Sequence, residues 1–202
     1  MARPKKDPNS VPTQKRILLA AEIEFGKHGF VRTRLEDIAE QVGIRRPSLL
    51  YHFKTKEALY ECVVQELFAA LRTQLVSEMK PGEFSDFVLN LTQSFIRFVE
   101  QRPSFAPIVL REIIDGGGPV HTILLHQITP VLDVIEGFVR MQGANSVPEG
   151  VSVRTALVHV SSNILLQQAS GSLRTPLWGD QNMTIPLVEQ LFLGKTASIA
   201  HQ

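Results

Sequence analysis

The chain has 202 residues, 44% of them hydrophobic and 20% charged, with one cysteine, Cys62. This composition suits a globular protein with an aliphatic core and excludes a disordered or disulfide-stapled one. The net charge of +1 divides unevenly: residues 1–60 carry 12 Lys/Arg against 7 Asp/Glu, and residues 61–202 carry 9 against 13. One end therefore suits a polyanion.

No apolar run reaches the ~18–20 residues of a membrane span, and no apolar core follows the basic start "MARPKKDPNS". The expectation is a cytoplasmic protein with no membrane contact. Residues 1–12 hold three prolines and read as a flexible basic arm, in which Arg3, Lys5 and Lys6 can lie along a polyanion. A helix fits "TQKRILLAAEIEFGKHG", with Thr13 as cap, Ile17, Ala21, Phe25 and His28 on one face, and Gly29 as stop. Thr33 followed by Glu36 predicts a capping box at the start of a second helix. Ile38, Ala39 and Val42 form its inner face and Gly43 ends it. "PSLLYHF" makes a further short helix, and Thr55 caps a long one.

The rest reads as helix. Phe84, Phe87, Val88, Leu91, Phe95, Phe98 and Val99 form an amphipathic stripe. Leu124, Ile128, Val131, Ile135 and Phe138 repeat at spacings of four and three, with a kink predicted at Pro130. Residues 115–119, 143–150 and 171–183 read as loops. Residues 151–170 read as helix by their length, and a last helix spans 185–199 with Leu187, Val188, Leu191 and Phe192 on one side. The fold class is all-α, about nine helices. The domains are the arm at 1–12, a basic domain at 13–56 suited to a polyanion with its motif at 34–53, and a helical domain at 57–202.

The informative stretch is "GIRRPSLLYHFKTKEAL". Proline is tolerated in a helix's first turn and disfavours helical geometry before it, so Pro47 marks a start near Arg46. Ala39 and Gly43 at this spacing give the close crossing and tight turn of a helix-turn-helix. The second helix then exposes Arg45, Arg46, Pro47, Ser48, Tyr51 and His52, while Leu49 or Leu50 and Phe53 face inward. Arginines bond guanine O6 and N7 or phosphate, serine bonds either, and proline offers apolar contact to a thymine methyl. Two arginines at a helix N-terminus oppose the helix dipole, which a polyanion would offset.

"TRLEDIAEQVGIRRPSLLYHFKTKEAL" resembles the helix-turn-helix of the TetR family of bacterial transcriptional regulators. The matching positions are Thr33, Ile38, Ala39, Gly43, Ile44, Leu49, His52, Phe53, Lys56, Glu57 and Leu59. Arg45 stands where serine usually caps the recognition helix, and Leu50 where tyrosine is usual; Tyr51 or His52 would cover the phosphate contact. The DNA-contact candidates are Thr33, Arg34, Arg45, Arg46, Pro47, Ser48, Tyr51, His52 and Lys56. The resemblance implies a repressor that binds a palindromic operator as a homodimer and is released by a small-molecule effector. It also implies that the last two helices pair across a two-fold, placing Leu187, Val188, Leu191 and Phe192 in the interface. Phe95, Phe98, Phe105, Ile108, Ile128 and Phe138 are the candidate lining of an apolar pocket.

His121 and His126 are five apart, off one helical face, so no metal site is expected. No G-x-S-x-G, phosphate loop or paired ligands point to an enzyme or a cofactor. The other reading is a DNA-binding helical protein without a small-molecule ligand, controlled by a protein partner or architectural.

Overall fold

The computed structural model describes residues 11–80, 82–115, 119–143 and 147–194. Among them are ten α-helices: α1 (Thr13–Arg32), α2 (Leu35–Val42), α3 (Arg46–His52), α4 (Lys56–Val76), α5 (Phe84–Gln101), α6 (Phe105–Asp115), α7 (Pro119–Gln142), α8 (Val153–Ala169), α9 (Arg174–Trp178) and α10 (Thr184–Leu193). Arg3, Lys5, Lys6 and the glycines at 116–118 lie outside the described residues.

The chain divides into two compact units between Val63 and Val64, seven residues past the expected boundary and inside α4. The first turns of α4 belong to the N-terminal core. Tyr60 is 1% exposed, and its ring meets Phe25 edge-on at 4.8 Å and Phe30 at 5.3 Å. Such aromatic pairs add about 0.5–1.5 kcal/mol beyond area burial.

Within this unit α1 starts at Thr13, its expected cap, so that Pro12 takes the N-cap position, with no side-chain cap bond. Gly29 has φ 72°, so α1 breaks there and adds one last turn to Arg32. The predicted capping box does not form. The backbone of α2 is capped at Arg34 without a side chain, because Thr33 turns inward: its hydroxyl lies 2.7 Å from Gly29 O and 3.1 Å from Glu24 O, with one proton to donate between them. Glu24, itself buried, accepts from Gln41 Nε2, and Arg16 donates to Val42 O. These bonds fasten α2 to α1.

The C-terminal unit packs α8 against α5, α6, α7 and α10. Helix α8 forms where the composition could pass for strand, and Ser152 caps it by accepting from Thr155 N at 3.3 Å. α7 continues through Pro130 without interruption. Between His121 and Gln142 it holds an 18-residue window of mean hydropathy 1.3, long and apolar enough by that measure to cross a membrane, although no uninterrupted apolar run of that length occurs. It nonetheless packs on α6 and α8 and carries Asp133 and Glu136, both ion-paired to Arg154 of α8, as a bundle helix does.

Two further expectations change. Residues 171–183 hold a 3-10 turn, Gly171–Leu173, and α9 rather than a loop. Trp178 Nε1 donates to Asn163 Oδ1 at 2.9 Å, and Asn163 and Gln167 donate to the buried Thr184 hydroxyl at 3.2 and 3.3 Å, tying this segment and α10 to α8. The last helix ends at Leu193, where Gly194 takes φ 62°; residues 195–199 of its expected span lie outside the described residues.

Candidate nucleic-acid interface

The turn between α2 and α3 is closed by backbone bonds. Gly43 sits at φ 71°, its N–H donates to Glu40 O at 2.9 Å, and Ile44 N–H donates to Ala39 O at 2.9 Å. This is a Schellman ending. A Cβ at Gly43 would meet nothing within 4 Å, so it is the positive φ, not crowding, that requires glycine. Arg45 follows in extended conformation and Arg46 opens α3, with Pro47 in the first turn and no side-chain cap.

Leu49 is fully buried and Phe53 nearly so. They anchor a seven-residue helix whose opposite face is bare: Arg45, Arg46, Pro47, Ser48, Tyr51 and His52 are all exposed. Tyr51, 76% exposed, stacks edge-on with His52 at 5.6 Å. Leu50 is half-buried. Arg34 is exposed at the start of α2.

Two candidates change standing. Thr33 leaves the contact set: it is 2% exposed and its hydroxyl is committed to α1 carbonyls. Lys56 is not a free cation. Its ammonium donates to Val31 O at 3.1 Å and sits 4.7 Å from the Phe30 ring centroid. Burial pulls its pKa below the ordinary lysine value, with Glu57 pulling it back up. Lys56 thus braces the end of α1, and a phosphate would have to share it. Thr55 does cap α4, accepting from Ala58 N at 3.0 Å.

Two residues outside the sequence-based set join this face. Lys54 is exposed with its ammonium 5.6 Å over Tyr51; a lysine in the turn after the recognition helix was the available signal. Glu36 is placed 3.1 Å from Arg46 Nε, and its sequence role as a cap partner concealed it.

The sequence profile of the bacterial regulatory proteins, tetR family, matches residues 17–63. The helix-turn-helix domain belongs to the TetR family. This TetR-family domain is 41% identical over 63 residues to the HTH-type transcriptional regulator RutR of Escherichia coli K12, covering 31% of this chain and 30% of RutR. It is also similar to the biofilm operon negative regulator IcaR of Staphylococcus aureus Newman, 29% identical over 86 residues, 38% of this chain and 46% of IcaR. The chain thus matches less than a third of RutR's length. Over 90% of its own length it shares the fold of the fatty acid degradation regulator FadR from Bacillus halodurans, with TM-score 0.72 and 14% identity over 99% of that chain.

The second unit holds an apolar pocket of about 190 Å³, partly open to solvent. Of the six predicted lining residues, Phe95, Phe105 and Ile128 border it; Phe98, Ile108 and Phe138 do not. Phe98 packs edge-on against Phe105 at 5.1 Å, Phe138 packs on Phe87 at 4.3 Å, and Ile108 is 2% exposed. Phe98 and Ile108 are filled core, and Phe138 is half-buried. The lining adds Leu71, Leu91, Val131, Leu132, Leu165 and Phe192 among others, and its polar members are Thr92, Ser161 and Ser162. Thr92 spends its proton on Val88 O at 2.8 Å and Ser161 on Val158 O at 3.1 Å. No charged residue lines the cavity among the described residues.

Phe192 and Val188 were expected to face a second subunit. They are 2% and 0% exposed within the chain, because α10 turns them onto α5 and α8. Leu187 and Leu191 remain half-buried. Among the described residues no group of three or more His, Cys, Asp or Glu is placed to hold a metal ion.

Proposed function

We propose that the protein is a transcriptional repressor that binds a palindromic operator as a homodimer and releases it when a small uncharged molecule fills the C-terminal cavity. The observation that carries the reading is the short α3, anchored by Leu49 and displaying Arg45, Arg46, Ser48 and Tyr51 to solvent in a domain of a regulator family. Their exposed donors suit the donor and acceptor pattern of a major groove.

The effector class follows from the lining. An apolar cavity without a charged wall favours a neutral molecule, since an unpaired charge there is costly to desolvate. The volume is below the ~300–1,000 Å³ of sites for drug-sized ligands, so a compact ring suits it better than a long acyl chain. Another FadR, from Bacillus subtilis, is described in complex with stearoyl-CoA and shares this fold at 14% identity and TM-score 0.71; that likeness concerns the fold alone.

The dimer contact is assigned to the outward faces of α8 and α10, supported by Leu166, 45% exposed, and the half-buried Leu187 and Leu191. Selection of duplex fragments by the purified protein, sequenced, tests the DNA reading: an inverted repeat with half-sites about one helical turn apart is expected. Recovery of random fragments would overturn it. Leu191→Glu is expected to give a monomer by light scattering with loss of selective binding; a variant that stays dimeric removes this interface.

A further inference from the structure

We propose that Glu36 sets the base preference of the recognition helix by holding Arg46 in reading position, leaving Arg45 to the phosphates. This rests on the DNA-binding reading above and assigns a role within it.

The two arginines are adjacent but differ in surroundings. Arg46 Nε lies 3.1 Å from Glu36 Oε1, both side chains about half exposed at 54% and 52%. Arg45 has extended backbone ahead of the helix and makes no ion pair among the described residues. Which guanidinium atom Glu36 takes matters. Nε carries one N–H; the contact there is an ion pair by distance rather than an aligned hydrogen bond, and its attraction biases the direction of the side chain. The four terminal N–H donors stay free, and two of them are what a bidentate bond to guanine O6 and N7 uses. A carboxylate on the terminal nitrogens would have blocked that bond.

Glu36 lies in the first turn of α2, where the helix dipole favours a negative charge, so placing it there does not strain the fold. Exposed pairs add little stability, so the pair's consequence is orientation and selection. A carboxylate beside the reading face also repels phosphates wherever Arg46 is not bound to its base. Random duplex keeps that repulsion, and the cognate base compensates for it. Discrimination against wrong partners by a built-in repulsion is a general device of specific interfaces. The free Arg45, not tied to any carboxylate, reaches a backbone oxygen in either case.

The experiment uses the full chain, the selected duplex, its single-base variants and a random duplex. Glu36→Ala and Glu36→Gln are measured in both the Arg46 and the Arg46→Ala backgrounds, with circular dichroism melts verifying folding. Glu36→Ala is expected to lower discrimination at one base position per half-site by about tenfold while random duplex binds as well or better. Glu36→Gln, which keeps the shape of the side chain but not its charge, behaves as Glu36→Ala does. With Arg46→Ala in place, Glu36→Ala changes no preference, since the two act as one unit. A uniform loss across all sequences would make Glu36 merely structural. A change at a base that Arg46→Ala leaves alone would make Glu36 a reader in its own right. Either overturns the proposal while leaving DNA binding standing; a wild-type chain with no preference for any duplex overturns both.

Discussion

The two units place their functional groups on opposite sides of their cores. In the first, the core is filled and function lies outside: Phe25, Tyr60 and Leu49 are buried so that Arg45, Arg46 and Tyr51 can be bare. In the second, charged groups such as Asp133, Glu136 and Arg154 pair on the exterior and the inside is left incomplete, with an apolar pocket of about 190 Å³. A reading face can therefore change without touching stability, whereas a cavity forgoes packing contacts that a filled core would make. Substitutions should separate the two units along that line.

The largest effect is expected from Phe25→Ala, which removes a 0% exposed ring from contact with Tyr60 and Phe30. Truncating a buried Phe costs about 3–5 kcal/mol. The single tryptophan, Trp178, lies in the C-terminal unit, so its fluorescence in urea reports that unit alone. DNA binding should be lost at a urea concentration where Trp178 fluorescence is still native. Coincident loss of both signals would mean that the units do not differ as described.

Next come the exposed arginines. Arg46→Ala is expected to lower operator affinity by about 1–3 kcal/mol and relax one base position per half-site, with chemical stability within ~0.5 kcal/mol of wild type. Arg45→Ala should weaken cognate and random duplex alike and flatten the salt dependence by ~0.9 per lost phosphate contact. Binding isotherms across a salt series distinguish the two. Exchange of the two patterns would mean that Arg45 reads the base.

What the sequence disclosed differs between the units for the same physical reason. The helix-turn-helix is local: the glycine at positive φ, Pro47 in a first turn, and an inward leucine with Phe53 follow from spacing within twenty residues, while the choice of Leu49 over Leu50 needed the structure. The inward turn of Thr33 was missed because the capping-box pattern and a buried hydroxyl on α1 carbonyls look alike in one dimension. The bracing of Lys56 was not legible because its partners, Val31 and Phe30, lie 25 and 26 residues away in sequence. In the C-terminal unit amphipathic spacing identifies inward faces but not what they meet. Phe98 and Phe105 carry the same apolar signal, yet only Phe105 borders the cavity. Val188 and Phe192 look like an interface until α5 and α8 are seen to cover them. The short α9 was hidden because Trp178 and Asn163, whose bond holds it, belong to different elements.

A smaller effect is expected from filling the cavity. Val131→Phe adds apolar volume at a lining position and should raise stability by about 0.5–2 kcal/mol, as cavity-filling substitutions do. Apolar cavities of comparable size bind benzene, so toluene serves as a probe. Toluene should raise the melting temperature of the wild type and not that of Val131→Phe. Destabilisation by Val131→Phe together with retained toluene binding would mean that the void lies elsewhere along the bundle.

The smallest effect concerns the polar exterior of the same unit. Glu136 accepts from Arg140 at 2.7 Å and from Arg154, which also meets Asp133. The Arg140 hydrogen bond is the first cause holding the Glu136 carboxyl below its ordinary value of 4.5, while its bond to Asp133 does most to raise Arg154 and keep it charged. A carboxyl whose folded pKa is depressed contributes stability above its unfolded pKa and loses it as pH falls through the folded value. The contribution is thus complete at neutral pH and disappears below pH 4.5. Because the charges join α7 to α8, Trp178 fluorescence is the appropriate signal. Glu136→Gln should lower the melting temperature slightly at pH 7, and the gap to wild type should close as pH falls below 4.5. A gap that persists unchanged into acid would mean that the glutamine disturbs packing rather than charge, and that the α7–α8 ion pairs add nothing to holding the cavity walls together.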